Sequence, residues 1–399
     1  MKILVLSNKL PYPPRDGGSI ATLNMLTGLR DAGNQVTCLS LNTRKHAFPA
    51  EQIPGSLSSA IRFMGVDCDT SIRPLSMLIN LLFSRKPYIA ERFRVGSFGD
   101  RLAELLRQER FDVIQLEGPY MGHYLEVIRN AGETFVSVRA HNVEHLIWKR
   151  KAAGERGAIR RWYLRDMAAR LEKFEMQVMQ RCDCLVAISE VDEAIFRSAG
   201  YRGPAITIPA GLHIDRYPVT LLPPDPSVCF IGALDWLPNQ EGLEWFLDKV
   251  FGKLTAKAPG ITFHVAGRNA PGTFAGKLER PRVVFHGEVE DAAVFMQTHR
   301  VVVAPLFTGS GIRIKILEAM ALGRPVVTTP LGIEGIPAEN GRDVMIAGDP
   351  DEFADQIVTL ISQEEETNRM VRHARSLVQQ NFDTFTLSER LSRFFQAQV

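Results

Sequence analysis

The opening stretch, MKILVLSNKLPYPPRDGGSIATLNMLTGLRDAGNQVTCLSL (residues 1–41), carries the pattern on which the whole chain is built. Residues 3–6 are a short apolar run of the kind that forms a buried strand. The loop NKLPYPPRDGGS follows, with three prolines and the Gly17-Gly18 pair. Residues 20–32 place apolar side chains at helical spacing and stop at Gly33, a residue suited to the left-handed position after a helix. Residues 36–41 form a second apolar run. Strand, helix and strand in this order make a crossover unit, which implies parallel strands.

The same unit recurs outward from this stretch. Residues 111–116, 135–138, 185–188 and 205–208 are expected to add parallel strands to the first sheet. A Pro-rich segment, YPVTLLPPDPS (217–227), has the composition of a stiff linker. Beyond it the alternation restarts, with strands expected at 228–231, 262–266, 283–285, 301–304 and 326–328 and helices at 242–254 and 314–322. The reading is therefore of two doubly wound α/β domains, 1–216 and 228–375, joined by 217–227. The last part of a helical tail, 376–399, is expected to return to the first domain. Ligands of such sheets bind at the carboxyl ends of the strands, so the cleft between two facing domains is the expected active site.

A chain of 399 residues suits two domains, and 45% hydrophobic with 23% charged residues is an ordinary globular composition. The net charge of +2 selects no polyanionic partner. The five cysteines, Cys38, Cys68, Cys182, Cys184 and Cys229, have irregular spacing, which argues against a disulfide framework or cysteine zinc site and for a reduced, cytoplasmic setting. The N-terminus enters a strand directly, so no signal peptide is read, and no run of about 18 apolar residues suggests a spanning helix.

The most chemical stretch is VVVAPLFTGSGIRIKILEAMALGRPVVTTPLGIEG (301–335). A buried strand ends at Pro305, and Thr308-Gly309-Ser310-Gly311 makes a small loop. A helix is expected from about Ile312 to Gly323. Free amides at a helix start after glycine bind anions readily. Arg313 and Lys315 there oppose the helix dipole, which suggests that a bound anion compensates them. Glu318, three residues after Lys315, is placed to accept the two hydroxyls of a ribose. The plain alternative is a surface helix start with two solvated cations.

Residues 301–348, with LEAMALGRPVV (317–327) followed by Gly332, resemble the donor-binding region of glycosyltransferase family 4, a retaining family of the GT-B fold. The resemblance extends over the chain. Gly17-Gly18 match the loop that closes over a donor diphosphate. VRAHNVEH (138–145) resembles the strand end whose histidine, here His141, lies beside the reacting centre. CLVAISEVDEAIFRSAG (184–200) and IPAGLHIDRYP (208–218) resemble the elements before the hinge. FIGALDWLPNQEGLEWF (230–246), with Gly232, resembles the start of the second domain, and FHGEVED (285–291), with Val289, the loop that cups a nucleobase. The resemblance implies two facing Rossmann-like domains. It also implies donor binding by Gly17, Gly18, Gly232, Val289, Gly309, Ser310, Gly311, Ile312 and Glu318 and a catalytic place for His141 near the sugar, and it leaves Arg313 and Lys315 as the best catalytic candidates to neutralise the diphosphate.

Two departures stand out. The family's Glu-x7-Glu motif has Ser310 in place of its first Glu, and Glu318 in place of its second. Its Arg and Lys after the first strand of the second domain are also missing, with Ala233 at one position and Asn239 or Glu241 near the other.

The resemblance implies retention, with the departing phosphate taking the acceptor proton, and no cofactor or metal. Asp67/Asp69 and Asp349/Asp351 have metal-pair spacing, but neither pair follows a strand expected at the cleft. His141 also has a plain reading as a strand-end cap, and His145 is read as structural. Glu117, Arg139 and Asn142 are candidates for the acceptor side, although Glu117 suits a helix cap slightly better. The basic segments 73–94 and 149–173 suit contact with an anionic membrane carrying a lipid-linked acceptor, or else simple packing of the apolar face of 75–83 on the core. A saccharide acceptor is equally compatible, whereas no nucleic-acid motif is present. A sugar-nucleotide epimerase and a catalytically weak nucleotide-sugar-binding subunit are the rival readings. A dehydrogenase is disfavoured because no Gly-x-Gly-x-x-Gly follows either first strand.

Overall fold

The computed structural model describes residues 1–14, 16–44, 47–309 and 311–399. It divides into two compact units, Met1–Gly211 with Thr384–Val399, and Leu212–Asp383. Each unit is an all-parallel sheet with helical crossovers, as the alternation of runs requires.

In the first unit the strands are β1 (Lys2–Ser7), β2 (Gln35–Thr43), β3 (Ile61–Cys68), β4 (Val113–Glu117), β5 (Phe135–Ala140), β6 (Cys184–Ala187) and β7 (Ala205–Thr207). Their order is β3-β2-β1-β4-β5-β6-β7. β1 and β4 are buried almost throughout; β1 is accordingly an apolar run over residues 3–6, while β4 carries the buried polar Gln115 and Glu117. β3 was not expected, because this edge strand reads IRFMGVDC and alternates in burial. Its Asp67 accepts a hydrogen bond from Asn42, and Asp69, just beyond the strand, accepts one from Ser71.

The second unit contains β8 (Ser227–Ile231), β9 (Thr262–Ala266), β10 (Val283–Gly287), β11 (Val301–Ala304), β12 (Val326–Thr328) and β13 (Met345–Ile346), in the order β10-β9-β8-β11-β12-β13. Sequence order reverses between β1 and β4 in one sheet and between β8 and β11 in the other. At such a switch point the two loops diverge and leave a crevice at the carboxyl ends.

The expected domain limits shift. The chain passes from one unit to the other at 211/212 and 383/384, and the Pro-rich segment belongs to the second unit. Side chains tie it there: Arg375 Nη1 donates to the Tyr217 carbonyl, and Arg324 to the carbonyls of Thr220 and Leu221. The Thr384–Gln396 helix lies in the first unit, where Leu387, Leu391 and Phe395 join a core with Met25, Leu26 and Leu29.

The helix Pro74–Phe83 buries none of its residues, so its apolar face is not packed on the core. Leu75 is 71% and Phe83 84% exposed. Arg170 holds its last turn by donating to the carbonyls of Leu81 and Ser84.

Candidate active site

In the second unit, the loop after β11 and the loop after β8 meet at the switch point. Thr308 Oγ1 donates to Glu241 at 2.7 Å, and a Cβ on Gly309 would lie 3.5 Å from the Trp236 ring. Gly309 and Gly311 have φ of 108° and 80°, a backbone that glycine adopts without strain. Ser310, expected among the donor-binding residues, lies outside the described residues.

The helix that follows is Ile314–Ala321, shorter at both ends than expected, and Gly323 takes the left-handed turn after it with φ of 71°. Arg313 is therefore the residue before the helix, not part of its first turn. It is buried, and its Nη1 donates to the Gly311 carbonyl at 2.6 Å, which pins the glycine loop. Ile312, between them, is buried as well.

Lys315 does lie in the first turn. Its Nζ donates to Asn239 Oδ1 at 3.0 Å and stands 4.0 Å from the centroid of the Phe230 ring. A Cβ on Gly232 would come within 3.4 Å of the same ammonium. Burial, with Arg313 adding, lowers Lys315 to about 7. The contact answers one of the departures read in the sequence. The segment after β8 has Asn239 near the place where the resemblance expects a lysine, and Asn239 is the group that holds the lysine supplied by the helix.

Glu318 is on the same face of that helix, one turn on. Tyr217 donates its hydroxyl to Glu318 Oε1 at 2.9 Å. Burial raises Glu318 to about 7, the Tyr217 hydrogen bond opposes this, and Asp291 adds to it. Asp291 itself caps the Ala292–Gln297 helix, and Val289 is half-buried in the loop before it. Tyr217 was missed in the sequence, where it reads as the start of a linker.

In the first unit the switch point gathers a second cluster. Gly17 and Gly18 are the first turn of the helix Gly17–Asp31, not a loop, since Asp16 caps it by accepting from the Ser19 amide. Lys9, which sequence reading passed over, pairs with Asp16 at 2.5 Å beside Gly18.

Glu117 ends β4, buried to 2% exposure, and does not cap the following turn. Its Oε2 receives His141 Nε2 at 2.6 Å, Thr22 Oγ1 at 3.1 Å and Arg139 Nη1 at 3.3 Å, and its Oε1 receives Gln115 at 2.6 Å. Burial alone would raise this carboxyl. His141, Arg139 and the hydrogen bonds outweigh burial and hold it at about 2. Glu117 and Arg139 are thus enclosed and engaged with each other, which corrects their assignment to the acceptor side. They fix the ring of His141, the partly exposed member of the group.

Asn142 donates to Glu144 at 3.3 Å. Behind it, Glu175 from the helix Ala158–Arg181 accepts the Glu144 and His145 amides, the first two of the helix Glu144–Gly154, and contacts His145 Nδ1 at 2.7 Å. Glu175 thereby satisfies amides that a helix start leaves open. The structure gives His145 a structural role.

With these positions established, comparison with known proteins is informative. A family model described as Glycosyltransferase Family 4 matches residues 15–216, more than half of the 399 residues. The chain belongs to glycosyltransferase family 4. A second model, Glycosyl transferases group 1, matches residues 225–363 of the same glycosyltransferase. Among curated proteins, it is 23% identical over 396 residues to an uncharacterized 44.6 kDa protein in a cps region of Klebsiella pneumoniae, covering 96% of this chain and 97% of that one. Among solved structures it is similar to Anabaena HepE in complex with UDP-glucose, with TM-score 0.69, 17% identity and 100% of both chains covered. It is also similar to the sucrose-phosphate synthase of Thermosynechococcus elongatus, with TM-score 0.75, 18% identity, and 100% and 99% coverage. These likenesses show the GT-B fold of the family 4 chain. No helix among the described residues is long and apolar enough to cross a membrane.

Proposed function

We propose that this family 4 member is a retaining hexosyltransferase. It takes a sugar from a nucleotide diphosphate donor and passes it to a hydroxyl of a saccharide or lipid-linked acceptor, in the synthesis of a cell-surface polysaccharide or glycoconjugate. The observation that carries the reading is the Ile314–Ala321 helix, which presents Lys315 in its first turn and Glu318 one turn later, behind a glycine loop pinned by Arg313.

In the second unit, Glu318 accepts the ribose hydroxyls. Arg313, Lys315 and the amides of 309–312 take up charge as the diphosphate leaves, and Gly232 and Val289 flank the nucleotide. Charge developed in the transition state is the most effective target for such preorganised groups. In the first unit, the amides of Gly17 and Gly18 suit an anion, and His141 faces the reacting sugar. Glu117 and Arg139 act on the reaction only through His141, and Asn142 remains a candidate on the acceptor side. The departing phosphate takes the acceptor proton, so the chain needs no nucleophile of its own, and its own cations replace a divalent ion at the leaving group. A relative from a cps region and a fold neighbour holding UDP-glucose make a UDP-hexose the first donor to test.

The exposed helix Pro74–Phe83, flanked by Arg73, Arg85 and Lys86, suits peripheral attachment to an anionic inner-leaflet surface, where a lipid-linked acceptor is reached from the cytoplasm. The deciding experiment is a donor-hydrolysis panel of UDP-, GDP- and dTDP-sugars with and without added Mg²⁺. Release of one nucleotide, at a rate independent of Mg²⁺, is the expected result. Tight nucleotide binding without turnover on any donor or acceptor would instead identify a binding subunit.

A further inference from the structure

Three histidines of the second unit have no part in the transfer. His264 is in β9 and His286 in the edge strand β10, where Val284 pairs with His264. Alternation along a strand puts His264, Val284 and His286 on one face, opposite the core residues Phe263 and Val265. His299 follows the C-terminal end of the Ala292–Gln297 helix, whose Phe295 ring touches both His286 and His299. The ring centroids of His264 and His299 are 4.3 Å apart, and those of His264 and His286 5.2 Å. Asp291, the residue of this region that bears on Glu318, caps the other end of the same helix.

A carbonyl selects the tautomer of His299, and the partners of His264 permit a matching one. His299 Nδ1 lies 2.7 Å from the Phe295 carbonyl oxygen, which can only accept, so Nδ1 carries the proton and Nε2 keeps its lone pair. His264 Nε2 lies 3.0 Å from Thr262 Oγ1, and a proton donated there leaves the Nδ1 lone pair directed at His286 Nε2, 2.9 Å away. One ring nitrogen donating to a carbonyl or hydroxyl while the other stays open is how proteins orient histidine ligands.

The distances also suit a metal. The three ligand atoms lie within 4.8 Å of one another. Two nitrogens about 2.0–2.1 Å from a tetrahedral zinc ion are about 3.4 Å apart. The His264–His286 pair needs only a few tenths of an ångström of opening, which the exposed His286 can supply by rotation.

We propose that His264, His286 and His299 form a site for a divalent transition metal of the zinc class, with the fourth position open to solvent beside His286. Imidazole donors select such ions over magnesium or calcium. The ion joins the edge strand, its neighbour and the segment after the Ala292–Gln297 helix. It thus acts as a staple on this side of the sheet, separate from the sugar transfer.

The test uses the full chain freed of metal by a chelator. Zn²⁺ is titrated against a chromogenic competitor, and Co²⁺ serves as an absorbance probe of geometry. The expected result is one equivalent of Zn²⁺ per chain, a tetrahedral Co²⁺ spectrum and a Zn²⁺-dependent rise in Tm. His286→Ala, at an exposed position, should weaken Zn²⁺ binding more than about a hundredfold and abolish the rise in Tm. Thr262→Val should weaken it about tenfold with the stoichiometry kept, the scale set by losing a supporting group. The proposal is overturned if the wild-type chain binds Zn²⁺ no more tightly than His286→Ala. It is equally overturned if His286→Ala and His264→Asn both retain the full equivalent.

Discussion

Glu318 and Lys315 are both held near pH 7 by surroundings that disfavour charge, one raised and the other lowered. Their effects on nucleotide binding therefore have opposite signs. In the proposed site Glu318 accepts ribose hydroxyls when ionised, so its contribution should be lost as pH falls below about 7. In the same proposal Lys315 meets the diphosphate when protonated, so its contribution should be lost as pH rises above about 7. Affinity for the nucleoside diphosphate, measured by calorimetry, should peak near neutrality. Glu318→Ala should weaken it by about 1.5–3 kcal/mol, the scale of a charged hydrogen bond. Because the Tyr217 hydrogen bond lowers Glu318, Tyr217→Phe should move the acid limb to higher pH. Arg313→Ala should lower the single-turnover rate by on the order of 10² to 10³ while changing donor affinity less, as expected for a group that acts on the leaving diphosphate. A near-normal rate would mean that Arg313 only pins the Gly311 carbonyl. At this scale sequence reading named Arg313, Lys315, Glu318 and His141, and also Glu117 and Asn239, but not which of these groups meet. Tyr217 and Lys9 looked like linker and loop residues, because their roles arise from contacts that local spacing does not encode.

Helices carry the next tests. The helix Pro74–Phe83 has an apolar character that the sequence displays plainly, yet only the structure shows that none of its residues is buried. Leu75→Ser with Phe83→Ser should reduce co-sedimentation with anionic vesicles several-fold and leave the unfolding midpoint nearly unchanged, since exposed substitutions shift stability by about 0.5 kcal/mol or less. Equal binding by the double variant would remove this helix from any membrane role. The helix Leu237–Trp245 approaches the loop after β11 so closely that a Cβ at Gly242 would fall on the Pro305 carbonyl oxygen. Gly242→Ala should therefore cost about 1–3 kcal/mol by overpacking, read as a lower denaturation midpoint, together with weaker nucleotide binding. Strands such as β1, β11 and β12 were legible as continuous apolar runs because both faces are covered. Edge strands β3 and β13 were not, since partial exposure dilutes the signal in one and brevity removes it in the other.

For the molecule as a whole, the chain crosses between its units twice, so the end of the sequence completes the first unit. The Thr384–Gln396 helix lies close against Gly17–Asp31: a Cβ on Gly28 would collide with Ser388, and Asn34 donates to Ser392 Oγ at 3.0 Å. Leu387, Leu391 and Phe395 each contribute about 1.5–3 kcal/mol by burial. Removing residues 384–399 should therefore destabilise the first unit by on the order of 5 kcal/mol. Hydrogen exchange should rise across β1, β2 and the Gly17–Asp31 helix and stay unchanged in the second unit. Uniform loss of protection in both units would show instead that they unfold together.

The sequence by itself determined the two parallel sheets, the family, and the helix bearing Lys315 and Glu318. Those properties rest on runs, periods and short motifs that neighbouring residues spell out. Tertiary structure alone decided which groups act together. Thr22 and Glu117 are 95 positions apart, Lys315 and Asn239 76, and Tyr217 and Glu318 101, and each pair is joined by a hydrogen bond. Both carboxylates are buried, yet His141, Arg139 and hydrogen bonds hold Glu117 at about 2 while burial sends Glu318 to about 7, so two residues of the same type acquire opposite chemistry from the fold.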